Sequence, residues 1–160
     1  MKETKEQALN WGALLARFAV GGVLVYAGFL KLSAPVEEFA YAIESYRLLP
    51  YDLSLLAASV MRWFELYLGV FIIFGVFTRF SVLLSLAVFA AFEFFLLQAI
   101  IRNLPITNCG CFGASSSNGI YTEFFLNLVW IILSFFILKK GGSLSVDSLL
   151  DRMEENENKK

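Results

Sequence analysis

Residues 11–30 read WGALLARFAVGGVLVYAGFL, and Arg17 is the lone charged residue among them. A helix rises ~1.5 Å per residue, so a run of this length crosses the ~30 Å hydrocarbon core of a bilayer. Three more runs have the same character: 53–77 (LSLLAASVMRWFELYLGVFIIFGVF), 80–101 (FSVLLSLAVFAAFEFFLLQAII) and 120–138 (IYTEFFLNLVWIILSFFIL). Composition agrees. The chain is 58% hydrophobic and 17% charged, against ~45–50% and ~25% in soluble domains, which places it among integral membrane proteins. A net charge of −1 without a basic patch argues against a nucleic-acid partner. The expected fold is all-α: an integral membrane four-helix bundle in one domain over residues 1–140, with a polar cytoplasmic tail over 141–160, frayed beyond a short helix at its start. The first run is too long for the apolar region of a signal peptide, carries Arg17 and is followed by no small-residue cleavage pattern, so it is expected to stay as a span.

Orientation follows from Lys and Arg in the flanks. Lys2, Lys5, Arg79, Lys139, Lys140, Arg152, Lys159 and Lys160 fall on one side, and Lys31, Arg47 and Arg102 on the other. Both termini are therefore expected in the cytoplasm and the 102–119 segment outside: in the periplasm if the organism is a Gram-negative bacterium, at the cell exterior otherwise. Between the first two spans, Val36, Phe39, Ile43 and Tyr46 recur at helical spacing after Pro35, with Glu37 and Glu38 near the positive end of the helix dipole. This predicts an amphipathic interfacial helix that partly covers the bundle; the plainer alternative is a simple connector.

The outward segment NLPITNCGCFGASSSNG, residues 103–119, holds the chain's two cysteines, Cys109 and Cys111. A disulfide across a single residue needs a backbone bend that Gly110 permits, with Gly113 adding freedom beyond Phe112. So small a ring staples little chain and is strained, and strained, exposed disulfides are labile and oxidising. The pair therefore reads as redox-active rather than structural. A zinc site fits poorly, since the sequence has no histidine and two thiols where zinc takes four ligands.

Charges inside the spans give the second constellation. Arg62, Glu65 and Glu93 lie in apolar runs, with Gln98 and Asn127 beside them, and an ionisable group at the bilayer centre costs ~2.5–3.5 kcal/mol on insertion scales. Counting from the outer ends of the spans places Arg62, Glu65, Glu93, Glu123, Asn127 and Lys31 on the side of the cysteines. Arg62 and Glu65, three apart on one helix face, can neutralise each other as a packing ion pair. The functional alternative is a polar pocket beneath the cysteine loop that moves protons during thiol exchange or holds a quinone head group. Arg17, near the inner end, is expected to snorkel to the interface. Gly21, Gly22, Gly28, Gly69 and Gly75 would let helices approach closely.

These pieces resemble the MauE-type branch of the DoxX-like membrane proteins. The matching stretches are AGFLKL at the end of the first span, YRLLP in the connector, FELYLG with Glu65 and Gly69 in the second span, and CGCFG before the fourth. The resemblance implies a four-helix protein of the bacterial inner membrane tied to periplasmic thiol chemistry, with a thioredoxin-like protein or a disulfide-containing client as partner. It links the family to methylamine utilisation and to maturation of a disulfide-rich subunit. The wider group includes a quinone-linked oxidoreductase subunit, which implies quinone as an alternative cofactor. Three functions remain open on these grounds: a thiol–disulfide exchange protein using Cys109 and Cys111, with Lys31 as a thiolate stabiliser; a non-catalytic assembly subunit; and a quinone-coupled oxidoreductase subunit.

Overall fold

The computed structural model describes residues 2–106, 119–140 and 153. The five helices among them are α1 (Lys2–Ser33), α2 (Val36–Ser45), α3 (Tyr51–Phe74), α4 (Thr78–Ile101) and α5 (Ile120–Lys140). Four of them supply segments long and apolar enough to cross a membrane: Leu9–Ser33, Tyr51–Phe74, Thr78–Ile101 and Ile120–Lys140. This is the expected four-helix membrane bundle. The cysteine segment, with Cys109, Gly110, Cys111, Phe112 and Gly113, lies outside the described residues, as does nearly all of the 141–160 tail.

The bundle is inverted relative to a soluble one. Large apolar side chains face outward, among them Leu15, Phe29, Phe80, Phe125 and Ile132. Many inward positions are small or polar: Ser81 and Ser85 on α4, and Glu123, Asn127 and Ser134 on α5. Lipid is as apolar as leucine, so nothing drives the large side chains inside, and small and hydrogen-bonding residues take the interfaces. Ser85 Oγ meets Ser134 Oγ at 3.5 Å where α4 and α5 pack. An apolar layer remains across the bundle, formed by Val20, Leu24, Leu68, Ile72, Phe89 and Ile137 among others.

The α1–α3 seam fixes the rest. A Cβ added to Gly69 would lie 2.6 Å from the Gly21 carbonyl oxygen, and one added to Gly28 would lie 2.8 Å from the backbone nitrogen of Leu66. These helices touch backbone to backbone, so Gly21, Gly28 and Gly69 do what the sequence reading expects. Gly22 does not, having nothing within 4 Å of its would-be Cβ. Gly75 serves otherwise: at φ 69° it ends α3 in the left-handed conformation, its N–H donating to the carbonyls of Phe71 and Ile72.

Arg17 corrects the snorkelling expectation. Only 2% exposed, it turns into the bundle. Its Nε donates to the Ile72 carbonyl at 3.1 Å and its Nη2 to the Ile73 carbonyl at 3.1 Å. The Ile72 carbonyl already accepts from the Gly75 N–H, so the guanidinium adds a second donor there, supplies one to the Ile73 carbonyl, and complements the negative end of the dipole.

Pro35 breaks the chain after α1, because it lacks an N–H and disfavours helical backbone before it. The expected amphipathic helix follows. Phe39 and Tyr46 are buried, and Val36 and Ile43 pack against the cluster of Phe39, Ala40 and Ala58. Gly28 faces Arg62 and Leu66, so the opening turns of α3 run past the end of α1, and α2 covers them.

Candidate functional site

The site forms where the end of α1 meets the middles of α3 and α4 and the first half of α5. Lys31 lies in the last turn of α1. Its Nζ donates to Glu65 Oε1 at 2.7 Å and Oε2 at 2.6 Å, and the two side chains are 0% and 1% exposed. Two rings complete the surroundings of the ammonium, with Phe39 of α2 at 4.7 Å and Phe92 of α4 at 5.0 Å from ring centroid to nitrogen. A desolvated cation gains up to ~2 kcal/mol from an aromatic face. The charge is thus held by one carboxylate and two quadrupoles, contributed by three different helices.

This pairing replaces the local Arg62–Glu65 pair allowed by sequence. Helix spacing brings positions three apart into reach, but Glu65 turns toward α1. Arg62 is half-buried, and its Nε has no hydrogen-bond partner among the described residues.

Beside Glu65 a small cavity of about 30 Å³ is lined by Ala27 of α1, Phe89 and Phe92 of α4, and Glu123, Asn127 and Trp130 of α5. That volume admits a water molecule or two, given polar partners. Asn127 Nδ2 donates to the Phe89 carbonyl at 2.8 Å and to Glu93 Oε2 at 2.7 Å. Glu93 Oε1 and Trp130 Nε1 are buried without a partner among the described residues. Unsatisfied buried polar atoms are costly, and Trp130, which lines the cavity, could donate to a water held there.

Lys31, Glu65, Glu93 and Asn127 thus come together at the bundle interior, and Arg62 stays apart from their hydrogen bonds. Glu123, which the sequence reading places on the same side, lines the cavity, and Phe39, Phe92 and Trp130 complete the site although the sequence reading leaves them outside it. For the α5 residues a signal was present: Glu123, Asn127, Trp130, Ser134 and Ile137 recur at spacings of four and three, one face of α5.

Two openings flank this core. One is a cleft of about 670 Å³ at the α2–α3 connection, lined by Tyr41, Glu44, Arg47, Pro105 and Ile106. Pro105 and Ile106 lead into the cysteine segment. The other is a groove of about 240 Å³ between α2, α3 and α4, lined by Phe39, Ile43, Tyr46, Met61, Phe92 and Phe95 and almost wholly apolar.

A protein-family model described as "Methylamine utilisation protein MauE" matches residues 9–140, which takes in all four spans. The chain belongs to this family. No curated protein and no solved structure matches it.

Proposed function

We propose that this MauE-family protein is a membrane thiol–disulfide exchange protein of the bacterial inner membrane, with Cys109 and Cys111 as its reacting pair. The supporting observation is the reach of the polar interior toward the cysteine segment. Glu123 is buried in the first turn of α5, and its N–H donates to the Gly119 carbonyl at 3.2 Å. Gly119 is the residue on which that segment ends, so a carboxyl group of the cavity lies about one helical turn, ~5.4 Å along the axis, below it.

In the exchange, the thiolate of one cysteine attacks a sulfur of the partner's disulfide. The partner's S–S bond breaks, a mixed disulfide forms, and the released sulfur takes a proton. The second cysteine then attacks the mixed disulfide and closes the Cys109–Cys111 ring. Two electrons and two protons pass to the partner, which leaves as a dithiol; the reverse sequence oxidises it. Glu123 and Glu93 are the proton carriers of this reading. The pair of Lys31 and Glu65 holds the walls of the cavity. The partner is a thioredoxin-like protein or disulfide-containing client on the outer side, with both termini of the chain in the cytoplasm. The family description points to methylamine utilisation as the setting.

The test is thiol trapping in intact membranes with an alkylating mass tag, with and without reductant. The expected result is a two-tag shift that appears only after reduction, and a mixed disulfide trapped by Cys109→Ser or Cys111→Ser. Cysteines inert to both oxidant and reductant, or full complementation by the double serine variant, would instead identify an assembly subunit. A second reading rests on the apolar groove, whose Phe39 and Phe92 also touch Lys31. It suits the flat apolar body of a quinone, and Tyr46 is its one hydroxyl-bearing wall residue. Purified protein that carries no quinone, and fails to reduce added quinone with a dithiol, removes it.

A further inference from the structure

At the opposite end of the bundle from the cysteine segment, the start of α4 and the end of α5 enclose a cavity of about 300 Å³. Its wall includes Arg79, Lys139 and Lys140, with Asn10 of α1, Thr78 and Leu138 between them. Among the described residues no carboxylate lines it and none of the three cations has an ion pair, the one salt bridge there being Lys31–Glu65. The helix dipole favours Lys139 and Lys140 at the end of α5 but opposes Arg79, which stands in the first turn of α4 where backbone N–H groups already present positive charge. Arg79, Lys139 and Lys140 are exposed, so solvent screens part of their repulsion, and the positive charge that remains around the hollow favours an anion there.

The surroundings indicate what carries that anion. Phe77 and Phe80, on either side of Arg79 in sequence, are 71% and 64% exposed on the apolar outer surface. A cationic hollow beside lipid-facing aromatic side chains matches an amphiphile: phosphate inside, acyl chains along the bundle wall. Basic pockets between membrane helices bind anionic head groups in this manner. We propose that this hollow is a binding site for the phosphate of an anionic phospholipid, a function separate from the thiol chemistry. The site would tie the α4–α5 end of the bundle to the leaflet with the higher content of anionic lipid, the cytoplasmic one in the orientation argued from the flanking charges.

The full chain, solubilised in detergent and stripped of lipid, is titrated with phosphatidylglycerol or phosphatidylcholine, and bound lipid is counted by native mass spectrometry. Phosphatidylglycerol is expected to occupy one site at a concentration at least ten-fold lower than phosphatidylcholine. Arg79→Gln should weaken it about five-fold and Lys139→Gln/Lys140→Gln about 25-fold, with Arg79→Lys restoring most of the Arg79 loss. Unchanged helicity and unchanged thiol reactivity in each variant separate lost binding from lost fold. Equal occupancy by the two lipids, or variants that bind phosphatidylglycerol like the parent, would overturn the proposal. So would inorganic phosphate displacing phosphatidylglycerol at equal concentration, which would make a free anion the ligand.

Discussion

The buried pair of Lys31 and Glu65 makes a quantitative prediction. Both side chains are essentially withdrawn from solvent, and both carboxylate oxygens lie within 2.7 Å of the ammonium. Removing one partner strands the other as an uncompensated buried charge, at ~3–5 kcal/mol, a large share of the ~5–15 kcal/mol typical of a folded domain. Removing both strands nothing, and an apolar pair of similar volume is often neutral. Lys31→Met and Glu65→Leu should therefore each lower stability by ~3–5 kcal/mol. Lys31→Met should be the gentler of the two, because Phe39 and Phe92 lose a cation but keep a long apolar neighbour. The double variant should fall within ~1 kcal/mol of the parent, a coupling far outside simple additivity. The assay is unfolding by SDS in mixed micelles, followed by tryptophan fluorescence, since Trp130 lines the adjacent cavity. Single variants within ~0.5 kcal/mol of the parent, or a double variant with the summed loss of the singles, would refute the reasoning.

The α1–α3 seam and the α3 terminus yield two more expectations under the same assay. Gly69→Ala forces a methyl against the Gly21 carbonyl and should cost ~1–3 kcal/mol, whereas Gly22→Ala meets open space and should be neutral or stabilising by up to ~1 kcal/mol. Equal effects of the two would mean that backbone contact does not set the seam. Arg17→Met leaves the Ile72 and Ile73 carbonyls without their guanidinium donor and should cost ~2–4 kcal/mol, with faster amide exchange confined to the last turn of α3. Protection unchanged in that turn would rule out the capping role.

The spans were legible because length and apolarity are local properties, and α2 because Val36, Phe39, Ile43 and Tyr46 keep helical spacing between two prolines. The membership of the polar cluster was largely legible too, since each intramembrane Glu or Asn is costly enough to need a partner. The identity of the partners was not. Arg62 and Glu65 are neighbours by helix geometry alone, while Lys31 reaches Glu65 only because Gly28 and Gly69 bring α1 and α3 into backbone contact. Arg17 reads as an interfacial residue if only its depth is counted. Its true partners are carbonyls more than fifty positions along the chain, |i−j| = 55 and 56, invisible to any window of local sequence. Phe39 and Phe92 carry no signal that separates a ring over a cation from ordinary lipid-facing material.

Arg17 and Lys31 are the two charges that α1 brings inside the bundle, and α3 supplies the partners of both. Translation delivers α1 to the bilayer before α3. Until α3 follows, the newborn segment must lodge with two unanswered cations, at up to ~2.5–3.5 kcal/mol for each that lies near mid-depth. Lateral release of the first helix on its own is correspondingly disfavoured, and biogenesis should proceed by holding it at the insertion machinery until the helical hairpin can leave as a unit.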